Sequence, residues 1–240
     1  MKSFGVGLLQ IAVIVLCWTF SRAARADDRG DPMLKACPAL LEWQGRQEQK
    51  LRNEKAANPS PVILPKLREQ LLAWSELDQE VRKPLMKRPP TRQRELIGAL
   101  VRMRSVDALN YRRIRGVIDE YGFPTIAMVG GDGSAAAFLL VQHQADHPEF
   151  QQFVLDIMEP LVKRGEVGRE GYALLLDRVL VMGQHKAQRY GTQFKQVGAE
   201  MRMEPIEDVE HLDQRRAEMG MMPIEAYRCV LEQMYHTPVK

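Results

Sequence analysis

The segment "GYALLLDRVLVMG", residues Gly171–Gly183, places Asp177 and Arg178 side by side within a run of Leu, Val and Met. This pattern is typical of a helix that is apolar nearly all round and is therefore buried. Adjacent residues on a helix point about 100° apart, so these two charges pair poorly with each other. Because an unpaired buried charge costs several kcal/mol, each is expected to find a partner on another element.

Other predicted helices carry polar residues in the same kind of position, on faces that are otherwise apolar. They are Asp78 and Arg82 in the helix that begins at Pro65, Asp107 and Asn110 in the helix of residues 91–121, and Gln142 and His143 after "AAAFLLV". Since the pattern recurs on four helices, we expect these residues to meet in one polar centre.

The expected pairing joins Asp177 to a basic residue such as Arg82, and Arg178 to Asp78 or Asp107. Asn110, Gln142 and His143 would fill the remaining hydrogen-bond valences. One interpretation of such a centre is an active or ligand-binding site, since desolvated titratable groups are where acid/base chemistry is tuned. The other is a buried ion-pair network that fixes how the helices pack.

Helix start and stop signals predict a mainly α protein, an irregular or orthogonal helical bundle with a short β or loop insertion near residues 184–206. Within that insertion, "YGTQF" and "MRMEP" are candidate short strands. "TIAMVGGDGS" is expected to be a glycine-rich loop, with Ser134 capping the next helix. The domain prediction is a signal peptide at 1–26, an N-terminal helical arm at 27–64 and a helical domain at 65–240.

The first 26 residues have the pattern of a Sec signal peptide, with a basic start, an apolar run and an A-x-A cleavage site that ends at Ala26. The sequence therefore predicts export to the periplasm or secretion. Of the 34 basic residues three lie in this segment, which leaves 31 against 31 acidic residues. A neutral mature chain lacks the basic footprint of a nucleic-acid binder.

Two cysteines, Cys37 and Cys229, remain after cleavage, near opposite ends of the chain. In an oxidising compartment they could form a disulfide that joins the two ends. The alternative is a pair of buried thiols, since sequence does not give their separation.

Motifs of known catalytic classes are weak in this sequence. His143 and His147 have the i, i+4 spacing of a zinc pair, but Gln144 stands where a zincin has Glu, and Pro148 makes His147 the expected last residue of its helix. "GGDG" lacks the Lys-Ser/Thr of a P-loop, and no Gly-x-Ser-x-Gly elbow is present. We therefore predict neither a metal nor a cofactor.

Several short segments together resemble an uncharacterised bacterial domain family, over about residues 66–235. They are "LDQEVR", "DALN", "YGFPT", "LLVQH", "PEFQ", "GEV", "LLDRVLV", "YGTQF", "PIED" and "DQRR". The resemblance implies a helical fold and a shared polar site, but no substrate. Its marks fall on Asp78, Gln79, Arg82, Gln142, His143, Asp177, Arg178, Tyr190, Thr192, Gln193, Asp213, Arg215 and Arg216. This chain departs from the family's Gln-His-Ala-Asp at Gln144 and Ala145.

The leading hypothesis is a hydrolase-like periplasmic enzyme that acts on a small molecule. His143 would carry the proton, Asp177 or Asp78 would orient it, and Arg82 or Arg178 would hold an anionic or carbonyl group. The candidate ligand-binding residues are Arg82, Asp107, Asn110, Gln142, Arg178, Tyr190, Thr192, Gln193 and Arg215. The alternative is a non-catalytic periplasmic binding or inhibitor protein of the immunity type, with a purely structural polar centre. Neither hypothesis involves nucleic acid, or a membrane after signal cleavage.

Overall fold

A computed structural model describes residues 31–53, 61–87 and 91–240, so the predicted signal peptide lies outside the described residues. The mainly α prediction is confirmed. The helices are α1 (Pro32–Ala36), α2 (Pro38–Asn53), α3 (Pro65–Lys87), α4 (Gln93–Tyr121), α5 (Ile126–Gln142), α6 (Pro148–Lys163), α7 (Arg169–Arg178), α8 (Leu212–Glu218) and α9 (Ile224–Tyr235), with β1 (Phe194–Val197) and β2 (Glu200–Met203) between α7 and α8. No helix in these ranges has both the length and the apolarity of a bilayer span.

Helix α5 is the central element of the main core. It packs most extensively on α3 and also contacts α4, α6 and α7. Its second half, which contains "AAAFLLV", is almost entirely buried, as expected for a helix without a polar face. The second half of this helix, which ends at Gln142, is therefore fixed by packing.

The glycine-rich segment before this core is helical, and the prediction of a loop there is wrong. Helix α5 begins after Thr125, whose side chain accepts from the Met128 amide, and it continues through a kink at Gly130. Gly130 has a φ of +74°, which glycine adopts without steric cost. Ser134 is consequently a buried residue within the helix and not its cap.

Helix α7 crosses α5 at Gly171. A Cβ atom at this position would lie 3.1 Å from Cγ of Phe138, so glycine allows the two helices to approach closely. After Arg178 the helix widens into a π-helical turn, Val179–Gly183. Turns of this kind are frequently found at functional sites.

The predicted insertion near residues 184–206 contains an antiparallel hairpin in which Phe194 pairs with Met203. The strand predicted at "YGTQF" begins only at its last residue, Phe194. Residues 190–193 form a buried turn instead, because the amides of Tyr190 and Thr192 donate hydrogen bonds to the Asp177 carboxylate and hold this backbone against α7.

The two N-terminal helices pack against the last helix, α9. Leu34, Leu40, Ala226 and Val230 form a small apolar cluster at this junction. A disulfide between Cys37 and Cys229 lies in the same place, with Cα atoms 5.7 Å apart. Of the two alternatives for these cysteines, the structure shows the disulfide.

Candidate active site

The central feature of the polar centre is a buried Asp–His pair. Nδ1 of His143, just after the end of α5, lies 2.6 Å from Oδ2 of Asp78 in α3. The Asp78 side chain is fully buried and that of His143 is 4% exposed. The same carboxylate oxygen accepts a hydrogen bond from Nε2 of Gln79 at 3.0 Å. These contacts follow from the close packing of α3 on α5.

The end of α5 is held in place by Gln151 of α6. Its Nε2 donates to the carbonyls of Val141 and Gln142 at 3.1 and 2.9 Å. These carbonyls lie in the last turn of the helix, where acceptors lack intrahelical partners. Sequence reasoning missed Gln151, because a lone Gln on a helix has no distinctive signal. Its role is to fix the backbone that carries His143.

Arg82 joins the Asp–His pair to α4. Its Nη1 donates to Oδ1 of Asp78 at 2.8 Å, and its Nη2 donates to Oδ1 of Asp107 at 2.5 Å. Arg82 is buried, whereas the Asp107 side chain is 21% exposed. Burial raises the pKa of Asp107, and the charge of Arg82 opposes that rise. Asp107 is thus the edge of this network that solvent reaches.

The second ring nitrogen of His143, Nε2, has no hydrogen-bond partner. Because the Asp78 carboxylate is an acceptor, a neutral imidazole places its proton on Nδ1 and leaves a lone pair on Nε2. Nε2 is buried without a hydrogen-bond partner. Burial lowers the pKa of His143 below 6.5, against the opposing effect of Asp78. The geometry therefore provides a neutral, oriented imidazole whose basic nitrogen is free.

Arg178 lacks the anionic partner that was predicted for it, and the expected pairing is wrong in this respect. Arg178 is 4% exposed, and its Nε atom is buried without a hydrogen-bond partner. Burial, together with the positive charge of Arg82, lowers the pKa of Arg178 to about 10. The predicted partners Asp78 and Asp107 are already bonded to Arg82, so no acid among the described residues neutralises Arg178.

Three more polar atoms in these surroundings are buried without partners. They are Nε of Arg82, Nδ2 of Asn110 and Oε1 of Gln142. Asn110 lies one turn beyond Asp107 on α4, and Gln142 directly precedes His143. We call the residues Asp78, Arg82, Asp107, Asn110, Gln142, His143 and Arg178 the open cluster. Buried polar groups are normally paired, so the five free atoms among these residues make the open cluster the candidate site.

Asp177 lies outside the open cluster, and the prediction that it pairs with a basic side chain is wrong. Its carboxylate accepts hydrogen bonds from the amides of Arg189, Tyr190 and Thr192 and from the Thr192 hydroxyl, all within 3.2 Å. Burial raises its pKa, and these donors oppose the rise. Backbone donors satisfy this carboxylate in place of a cation, and they fasten the turn to α7.

The remaining predicted ligand-binding residues lie in the turn that Asp177 binds or contact that turn. Tyr190 and Thr192 bind Asp177 as described, Nε2 of Gln193 donates to the Thr192 hydroxyl, and Arg215 donates to the carbonyls of Arg189 and Asp208. We call the residues Asp177, Tyr190, Thr192, Gln193, Arg215 and Arg216 the closed cluster. Among the described residues, no hydrogen bond or ion pair joins a side chain of the closed cluster to one of the open cluster, so the single polar centre that we predicted is divided in two.

Arg216, in the "DQRR" segment, is the buried arginine of the closed cluster. Arg216 is fully buried and donates to the carbonyls of Tyr190 and Met222, and its guanidinium lies 4.9 Å from the ring of Tyr227. Gln188, also missed from sequence, bonds the backbone of Gln193 through both ends of its amide. Both residues stabilise the turn.

The structure shows no metal arrangement at the two histidines. His147 lies in the N-cap position of α6 and stacks on the ring of Tyr111, with centroids 3.7 Å apart. Its predicted place at the end of α5 is wrong, since that helix ends at Gln142. Within the described residues, no group of three or more His, Cys, Asp or Glu side chains is placed to hold a metal ion.

The structure shows which acid accompanies His143. Asp146 is exposed, and Gln144 donates to the carbonyl of Leu140. The acid beside His143 is Asp78. A separate groove of about 280 Å³ lies near the start of α5, between Phe138 and Glu170, and shares no lining residue with the open cluster.

Comparison with known families places the chain. The model described as "Family of unknown function (DUF6624)" matches residues 65–240, and the chain belongs to this family. The match begins at the first residue of α3 and includes both clusters. No curated protein and no solved structure matches the chain.

Proposed function

We propose that the open cluster is the active site of a hydrolase-like enzyme in which His143 is the general base. The observation that supports this most directly is the 2.6 Å contact between Nδ1 of His143 and Asp78, combined with the free, buried Nε2. A carboxylate that holds one ring nitrogen fixes the tautomer and orientation of the other, which is the arrangement that a general base requires.

The proposed step is a hydrolysis. Nε2 of His143 accepts a proton from a water molecule, and the water oxygen bonds to a carbonyl carbon or a phosphorus atom of the substrate. The bond to the leaving group then breaks, and the imidazolium returns the proton to that group. Asp78 stabilises the imidazolium without accepting its proton. A pKa below 6.5 keeps His143 in its basic form at neutral pH.

A second candidate is the non-catalytic periplasmic binding or inhibitor protein, in which the open cluster only fixes helix packing. The burial of Asp78, Arg82 and His143 favours it, because such networks also occur as structural elements. The open cluster has five free atoms, whereas the closed cluster has one, Nη2 of Arg216. This difference favours the first candidate, since a structural network satisfies most of its own hydrogen bonds.

The test compares His143→Gln with His211→Gln. His211 forms an Asp–His pair too, with Asp208 at 2.8 Å, but on the surface. Wild type and both variants are screened against chromogenic carboxylic and phosphoric esters, with circular dichroism as the measure of folding. We expect His143→Gln to remain folded and to lose about 100-fold or more in rate, whereas His211→Gln retains it. Unfolding of His143→Gln, with no ester hydrolysed by wild type, would support the structural candidate.

We also propose that the protein is exported to the periplasm. The apolar segment that ends in Ala24-Arg25-Ala26 supports this, as does the Cys37–Cys229 disulfide, which requires an oxidising compartment to persist. Fractionation of cells that express the full chain, followed by mass spectrometry of its N-terminus, tests the proposal. A protein retained in the cytoplasm with residues 1–26 intact would contradict it.

A further inference from the structure

We infer that Arg178 is the binding site for an oxyanion, a carboxylate or a phosphoryl group, carried by the ligand of the open cluster. This inference deepens the proposed function by naming the substrate class. It begins from the charge of Arg178, which is buried at 4% exposure and has no acid among the described residues to neutralise it.

The charges that act on Arg178 explain why its ligand would be an anion. Arg82 is the charged group that acts on Arg178, and its effect is repulsive. Both terminal nitrogens of Arg82 are bonded to carboxylates, so Arg82 is fixed in place and its repulsion of Arg178 persists. An incoming anion would remove the electrostatic cost of burying Arg178, and a guanidinium binds carboxylate and phosphoryl oxygens in a planar fork.

The other free atoms of the open cluster suit the same ligand. Nε of Arg82 and Nδ2 of Asn110 are donors without acceptors, and they can bind further oxygens of the anion. Oε1 of Gln142 and Nε2 of His143 are acceptors, suited to a hydroxyl group or a water molecule. The cluster thus offers donors for an oxyanion together with acceptors for the group that reacts.

The probes are inorganic phosphate and acetate, with potassium chloride at equal ionic strength as the control for screening. The measurement is the ¹H–¹⁵Nε resonance of Arg178 in the labelled full chain, assigned by its loss in Arg178→Met. We expect phosphate or acetate to shift this resonance saturably and chloride to leave it in place. Tighter binding of phosphate would indicate that the ligand carries a phosphoryl group, and tighter binding of acetate that it carries a carboxylate.

The variants make the result specific. Arg178→Met should weaken anion binding about tenfold or more, since a charge-assisted hydrogen bond is lost, and Arg178→Lys should weaken it less. The matched control is Arg164→Met, an exposed arginine that is paired with Glu166, and its affinity should equal that of wild type. If Arg178→Met does not fold, Arg178→Lys supplies the assignment, because it also lacks the Nε resonance, and the titration of the wild-type resonance then decides.

The inference is overturned if neither anion moves the Arg178 resonance, or if Arg178→Met binds phosphate and acetate as tightly as wild type does. Its failure is distinguishable from failure of the proposed function. His143→Gln should still bind the anion, so a protein that binds phosphate or acetate at Arg178 but hydrolyses no ester would be a binding protein with the site inferred here.

Discussion

Asp177 and Arg178 are adjacent on α7 but serve different clusters. Asp177 accepts hydrogen bonds from the turn at residues 189–192, whereas Arg178 is subject to the positive charge of Arg82 and has no anionic partner among the described residues. The sequence segments on which the resemblance was based divide in the same way. Those on α3, α4 and α5 form the open cluster, and "YGTQ" and "DQRR" fasten the turn. This adjacent pair on α7 thus links the open cluster, through Arg178, to the turn at residues 189–192, through Asp177.

The first prediction concerns this fastening. Asp177→Asn should destabilise the protein by about 1–3 kcal/mol, because the amide Nδ2 would face backbone N–H donors and leave some of them unsatisfied. Removal of a buried charge whose pKa is raised by burial offsets part of the loss. Hydrogen exchange should show faster exchange of the amides of Arg189, Tyr190 and Thr192.

The matched control is Asp213→Asn. Asp213 also accepts a backbone amide, that of Ile224, but it is exposed. Only exchange near Ile224 should change in this variant. Unaltered exchange at residues 189–192 in Asp177→Asn would show that Asp177 does not fasten the turn.

The second prediction concerns the carboxylate of the Asp–His pair. Asp78→Asn leaves Arg82 and His143 to share one neutral acceptor, so the free energy of unfolding should fall by about 3–5 kcal/mol, as for other broken buried ion pairs. Asp208→Asn breaks the exposed contacts with His211 and Arg215, and its effect should be much smaller, because exposed ion pairs contribute little. Urea denaturation measures both. Equal losses in the two variants would contradict a special role for burial.

The sequence was sufficient to predict the helical class and the burial of the polar residues, because both follow from hydrophobic periodicity. Asp78, His143 and Arg178 are buried as the apolar faces around them required. The partners were not predictable in the same way. Backbone amides of a distant turn satisfy Asp177, and a turn's backbone leaves no pattern in side-chain types. The helix through Gly130 was also missed, since glycines that permit a kink resemble glycines of a loop.

The third prediction concerns Gln151, which holds the end of α5. Gln151→Met has a similar volume but leaves the carbonyls of Val141 and Gln142 without this donor, so it should cost about 1–3 kcal/mol. The neighbouring Gln152 binds exposed side chains only, and Gln152→Met should change stability by less than about 0.5 kcal/mol. Thermal unfolding of both variants is the measurement, and equal effects would contradict the capping role.

The fourth prediction is a pH dependence that comes from His143. Its pKa in the folded state is below 6.5, so as pH falls below 6.5 the unfolded chain binds a proton first and stability decreases. The loss continues until the pH reaches the folded pKa, with a slope of about 1.4 kcal/mol per pH unit between the two values. The raised pKa values of Asp107 and Asp177 act in the opposite sense, since the folded state binds their protons more tightly.

Urea denaturation between pH 7 and pH 5 tests this sign, because that range spans the ordinary value of histidine. In His143→Gln the decrease attributable to this group should be absent, and the profile should be flatter than that of wild type. The same slope in both proteins would show that His143 is not the group responsible.

The fifth prediction concerns the Cys37–Cys229 disulfide, which joins residues 192 positions apart. Because the link restricts the unfolded chain over most of its length, Cys37→Ser with Cys229→Ser should lower stability by about 2–5 kcal/mol. The experiment uses a Cys17→Ser background, so that no other thiol is present. A reducing agent should lower the Tm of the parent to that of the double variant and leave the double variant unchanged. Labelling of two thiols in the unreduced, unfolded parent would contradict the disulfide.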